Sequence, residues 1–163
     1  MKPLDNDNIY LEQTLNLSQQ SVEEGNHPFG ALLTINGSLV LEAKNTVNTQ
    51  QDATCHAEMN LVREACKTLT VDERKVAVLY TSTEPCAMCA GAIYWAGIKH
   101  IMYACSGEKL NDIAGKSLTC HSEYVYKGAI EAPKVRQSDS AFIIEKAAAQ
   151  HRDYWTQDWS NMT

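Results

Sequence analysis

The chain reads Thr54-Cys55-His56-Ala57-Glu58 and, further on, Glu84-Pro85-Cys86-Ala87-Met88-Cys89, so one imidazole stands thirty positions ahead of a pair of thiols. No other feature restricts the fold as strongly, because metal-ligating groups this far apart act together only if the chain brings them to one point. A structural zinc site is closed by four protein ligands, whereas a catalytic one has three and leaves a place for water. No fourth Cys or His stands at a matching spacing, so His56, Cys86 and Cys89 point to an open Zn2+ site. Glu58 lies two positions beyond His56, off the ligand's face of a helix yet within reach of a metal-bound water, which suits a carboxylate that moves protons. A redox pair formed by Cys86 and Cys89 is the competing reading, and it leaves Glu84 and Pro85 unexplained.

The pattern around these motifs predicts how they are carried. Apolar residues at helical intervals from Asp7 to Glu24, stopped by Gly25, predict a first amphipathic helix. Residues 29–35 and 38–43 form two apolar runs joined by Asn36-Gly37, the dipeptide that supplies positive φ at both corners of a tight turn, and predict a hairpin. After a polar loop over 46–53, residues 55–69 carry an apolar stripe of Met59, Leu61, Val62, Ala65 and Leu69, which puts His56 and Glu58 in the first turn of a helix. Residues 76–80 read as a buried strand, Pro85 opens a helix over 86–96 closed by Gly97, and 99–104 reads as another strand. The polar segment 106–119 reads as a long loop with a substrate-lining role. A last strand starts near Val135, and a terminal helix covers 140–154. Strands alternating with helices after a hairpin predict an α/β layer fold whose later strands are parallel. Both ligand sets begin helices, where unpaired amides favour thiolate over thiol.

Fourteen Lys plus Arg against twenty Asp plus Glu leave a net charge of −6, with the basic residues scattered, a poor footprint for a phosphate backbone. A nucleic-acid partner is therefore not expected. No apolar run reaches the ~18 residues of a membrane span, and residues 1–8 do not resemble an export signal. The expectation is a cytoplasmic protein with Cys55, Cys66, Cys105 and Cys120 as free thiols. With no linker-like stretch inside 163 residues, the chain reads as one domain, 1–163.

The His-x-Glu and Pro-Cys-x-x-Cys motifs resemble the cytidine deaminase-like superfamily of zinc hydrolases, a pattern for which nucleobase deaminases are the general model. Within it, His27-Pro28-Phe29-Gly30-Ala31, Asn45, Tyr80-Thr81-Ser82 and residues 84–96 are similar to bacterial guanine deaminases, over roughly residues 9 to 105. The resemblance implies a three-layer α/β/α fold around a five-stranded mixed sheet. It also implies a homodimer, with exchange of the C-terminal segment left open, and hydrolytic release of ammonia from a small nucleobase-type substrate, Glu58 carrying protons. By the same resemblance Asn45, eleven positions before His56, binds the base, and Ala57, Pro85, Phe29, Trp95 and Tyr154 are further substrate contacts. Tyr154, Trp155 and Trp159 are candidates for a C-terminal lid. His100, His121 and His151 lack any such pattern and read as surface or hydrogen-bonded histidines.

The chain departs from that family in one place. Where guanine deaminases carry paired aspartates soon after a Gly, it reads Ala114-Gly115-Lys116-Ser117-Leu118, and the nearest acids are Asp112 and Glu123. Three alternatives therefore stand beside the guanine deaminase-like reading. These are a tRNA adenosine deaminase, a cytosine deaminase (suggested by Gln157-Asp158-Trp159), and a catalytically silent dimerisation partner.

Overall fold

The computed structural model describes residues 6–115, 117–118 and 120–155. In chain order the elements are α1 (Asp7–Glu23), β1 (Gly30–Ile35), β2 (Ser38–Lys44), α2 (Val47–Gln50), α3 (Ala57–Thr68), α4 (Val71–Val76) and β3 (Val78–Thr83). They continue with α5 (Ala87–Trp95), β4 (His100–Cys105), α6 (Gly107–Ala114), α7 (Ser122–Val125), β5 (Lys134–Gln137) and α8 (Ala141–Trp155).

The strands form one five-stranded sheet in the order β2-β1-β3-β4-β5. β1 runs antiparallel to β2 and β3, while the β3–β4 and β4–β5 pairs are parallel. The hairpin turns at Asn36 and Gly37, with φ of 51° and 73°, the positive pair that matches the twist of the strands it joins. Strand alternation divides the core. Ala31, Leu33 and Leu79 point to one face, where they pack with Leu61 and Ala65 of α3 and Ile93 of α5. Leu32, Tyr80 and Met102 point to the other, against Leu11 and Leu15 of α1 and Ile143 and Ala147 of α8. The result is the expected mixed sheet between two helical layers. Among the described residues no helix is long and apolar enough to cross a membrane.

Two local expectations are corrected. The segment 106–119 is not an open loop, because α6 occupies most of it. Ser106 caps that helix by accepting from the Lys109 amide at 3.1 Å, Leu110 and Ala114 bury one side, and Gly115 ends it at φ 74°. The strand placed at 76–80 starts later, since Thr70 and Glu73 form a reciprocal capping box that turns Val71–Val76 into α4. Burial favours the later register, which carries the strand on to Thr83 at the sheet's carboxyl edge.

Candidate metal centre and active site

His56 is the N-cap of α3 and Cys86 the N-cap of α5, so two helix starts converge beside the carboxyl end of β3. Cys89 lies on the first turn of α5 and is fully buried. His56 Nδ1 stands 3.6 Å from Cys86 Sγ and 3.6 Å from Cys89 Sγ, and all three donor atoms lie within 4.8 Å of one another. A tetrahedral zinc with ordinary Zn–N and Zn–S bonds would separate nitrogen from sulfur by about 3.6 Å, so the donors fit that ion. Cys55 Sγ instead takes a 3.6 Å contact from Arg63 and stays out of the group.

The electrostatics suit a metal. The Cys89 thiol and the His56 ring together hold Cys86 down to about 4, while the same Cys86 contact and burial push Cys89 up. The hydrogen bond with Cys86 in turn raises His56. A thiolate with an imidazole partner at the positive end of a helix is a ready cation site. When bound, zinc would act as a Lewis acid that makes water nucleophilic at neutral pH.

Glu58 is only 4% exposed, one position into α3 beyond Ala57. Its Oε1 accepts from Thr81 Oγ1 at 2.7 Å, and its Oε2 lies 3.7 Å from Cys89 Sγ, so the carboxyl is aimed at the ligand cluster. Burial raises its pKa, with the Thr81 hydrogen bond opposing. A carboxyl poised above its ordinary range is better able to take up and return a proton near neutrality.

His56, Cys86 and Glu58 line a cavity of about 460 Å³, inside the roughly 300–1,000 Å³ range of small-molecule sites. Phe29, Val47, Pro85, Met88, Leu110 and Trp155 supply apolar walls, and Asn45, Thr83 and Ser117 supply polar groups. Asn45 is 1% exposed, and its Oδ1 accepts from the Val47 amide at 3.0 Å. Tyr154 is not among the lining residues. Its hydroxyl lies 3.0 Å from Nδ1 of His27, a ring that does line the cavity and whose pKa burial lowers. Ala57 is fully buried at the start of α3.

Trp95 departs from expectation. It ends α5, two turns from Cys86, is 84% exposed and is absent from the cavity wall of this chain. A helix of nine residues carries its first and last side chains far apart, so its nearness in sequence to the ligands did not bring it to them. Asp112 and Glu123 are both exposed and neither lines the cavity, whereas Ser117 does. Trp159 and the Gln157-Asp158-Trp159 run lie outside the described residues.

Other residues gained a place only in three dimensions. Glu84 lines the cavity but its carboxylate is fully engaged: the Gly107 amide donates at 2.9 Å, the Ser122 amide at 3.1 Å, and His121 stands 3.3 Å away. It therefore fastens α6 and α7 over the site. Thr83 of β3 lines the cavity without any signal in the sequence, while Thr81 holds Glu58, Leu110 lines the cavity from the segment expected to do so, and Trp155, a lid candidate, lines it from α8.

Residues 4–105 match the family model described as the cytidine and deoxycytidylate deaminase zinc-binding region. The chain belongs to this family. It is 36% identical over 154 residues to a "Probable cytosine deaminase" of Schizosaccharomyces pombe, covering 91% of this chain and 92% of that protein. It is 42% identical over 100 residues to the guanine deaminase of Bacillus subtilis, covering 61% of this chain and 64% of that one. A solved structure from work on A-to-I editing by tRNA deaminases at the wobble position superposes with a TM-score of 0.68 at 25% identity, covering 87% of this chain and 98% of that one. This deaminase domain thus has relatives named for three different substrates, and its zinc site is a property of the family.

Proposed function

We propose that this zinc-type deaminase acts on a small free heterocycle of nucleobase type, replacing an exocyclic amine with oxygen and releasing ammonia. The observation that carries the reading is the union of an open three-ligand site, a buried Glu58 beside it and a cavity of about 460 Å³ at the same point. His56, Cys86 and Cys89 hold the ion. Glu58 accepts a proton from the attacking water and gives it to the ring nitrogen next to the reacting carbon, then takes the second proton from the newly added hydroxyl and delivers it to the departing amine. The C–N bond breaks, the water's oxygen stays as the carbonyl, and ammonia leaves. Asn45 and the backbone around Ala57 and Pro85 orient the ring, with Phe29 and Tyr154 bounding the site.

A free base is favoured over tRNA because the chain carries a net charge of −6, a poor match for a phosphate backbone, and Trp155 of α8 adds an apolar wall to the cavity. A cytosine-like pyrimidine is favoured over guanine by one specific observation. The cavity wall has Ser117 where the guanine deaminase-like pattern expects an acid, and Asp112 and Glu123 do not replace it. The working unit is a single-domain cytoplasmic homodimer.

The test is ammonia release by the zinc-loaded protein over cytosine, guanine, adenine, aminopterins, aminotriazines, their nucleosides and tRNA, with Glu58→Ala as control. Turnover of a free base that the control lacks is expected. Zinc bound with no turnover on any of them would sink the enzyme reading, and activity confined to tRNA would sink the free-base one.

A further inference from the structure

Thr83 is the last residue of β3, 2% exposed, and one of the groups lining the cavity. Its Oγ1 lies 2.8 Å from Nε2 of His151 on α8. The other ring nitrogen, Nδ1, receives the Trp155 indole N–H at 3.1 Å. An indole nitrogen only donates, so Nδ1 of His151 must accept, and the neutral ring then carries its proton on Nε2. Nε2 therefore donates to Thr83 Oγ1. Burial keeps the ring neutral, holding His151 down to about 4.

A hydroxyl that accepts one hydrogen bond still has a proton to give. Among the described residues no protein group takes it: the only side-chain bond of Thr83 is the one with His151. Of the other polar cavity groups, Asn45 shares this bias, whereas Ser117 donates its own proton to the Gly107 carbonyl at 3.5 Å. Asn45 Oδ1 is occupied by the Val47 amide, leaving its NH2 to donate, and the carboxylate of Glu84 is already engaged by Gly107, Ser122 and His121.

We propose that Thr83 is a specificity-determining residue, held as a hydrogen-bond donor by the Trp155–His151–Thr83 relay and reading an acceptor atom on the ring, a carbonyl oxygen or an unprotonated ring nitrogen. This rests on the free-heterocycle reading above and narrows it. A ring that presents N–H or NH2 at that position meets a donor and leaves it buried without a partner, which is a strong basis for rejection. A ring with an acceptor there completes the relay. The same relay ties the wall residue Trp155 to substrate recognition, so α8 contributes to selectivity.

The test uses the zinc-loaded enzyme with its best free-base substrate and with the matched analogue in which the acceptor is replaced by C–H. Thr83→Val should lower kcat/KM on the parent roughly ten- to hundredfold, chiefly through KM, and have little effect on the acceptor-less analogue. Thr83→Ser, which keeps the hydroxyl, should stay within a few fold of wild type and separates this role from a packing effect. Zinc content and melting temperature of each variant report that the site is intact. Independently, 15N chemical shifts of the His151 ring should show a neutral imidazole protonated at Nε2. Equal losses for Thr83→Val on both substrates, no loss on either, or a His151 ring protonated at Nδ1 would overturn the inference while leaving the deaminase reading in place. No turnover by wild type on any base would overturn both.

Discussion

Thr81 Oγ1 lies 2.7 Å from Glu58 Oε1, linking the buried interior of β3 to the carboxyl that faces the metal ligands. Thr81 is itself fully buried, so this bond has no water to replace it if the hydroxyl is removed. Thr81→Val should leave zinc binding intact and lower kcat roughly ten- to hundredfold, the usual effect of losing a group that orients a reacting side chain. Thr81→Ser should recover most of it. Glu58→Gln should lose more, about 10²- to 10⁴-fold. Equal kcat values for wild type and Thr81→Val, measured by ammonia release at saturating substrate, would show that Glu58 is positioned without this bond.

Zinc should also stabilise the fold, because its ligands come from α3 and α5, two helices packed side by side on one face of the sheet. An ion that binds the folded chain and not the unfolded one raises its melting temperature by mass action. Dialysis against a chelator should therefore lower the melting temperature, and Cys86→Ser should bring wild type and variant to similar values in chelator. A melting curve indifferent to zinc would mean the ion is not held by these residues.

His151 predicts a pH dependence of stability with a definite sign. Its folded pKa, about 4, lies below the ordinary 6.5 because burial disfavours the cation. The unfolded chain therefore binds a proton more readily than the native one below pH 6.5. This contribution is fully present above that value, is lost as pH falls towards the folded pKa, and amounts to on the order of 3 kcal/mol. Urea midpoints of wild type and His151→Gln, compared between pH 7.5 and 5, should converge on the acid side. Parallel curves would show that His151 is not kept neutral.

Gly30 begins β1 where α1 crosses it. A Cβ there would stand 2.6 Å from Leu17 Cβ and 2.7 Å from the Ser18 amide nitrogen, contacts that neither helix nor strand can relieve without moving apart. Gly30→Ala should destabilise by about 1–3 kcal/mol as an overpacked core does. Thermal unfolding checks this, and because Phe29 and Ser82 flank the same junction, KM should rise as well.

Much of the site was legible in the sequence because its signals are local. His56 and Cys86 precede apolar helical stripes, so their place at two helix starts follows from residues within a few positions of each. The hairpin at Asn36-Gly37 and the apolar run of β1 are equally local. Helix α6 was legible too, through Ser106 and Gly115 as caps and Leu110 and Ala114 one turn apart, yet its polar composition suggested a loop. Trp95 was not legible in the same way: nearness to the ligands in sequence says little about a side chain at the far end of the helix, and it stands 84% exposed outside this chain's own cavity wall.

The sequence by itself determined the His56, Cys86 and Cys89 cluster that could hold zinc, the family and most of the order of the elements, because spacing, caps and apolar periods act over a few residues. Only the tertiary structure decided what surrounds the metal. Glu58 meets Thr81 across 23 positions, Glu84 meets Ser122 across 38, and Thr83 meets His151 across 68. Those pairings exist because the parallel strands bring their carboxyl ends to one edge and α8 folds back over it, and no local pattern encodes which side chains then face each other.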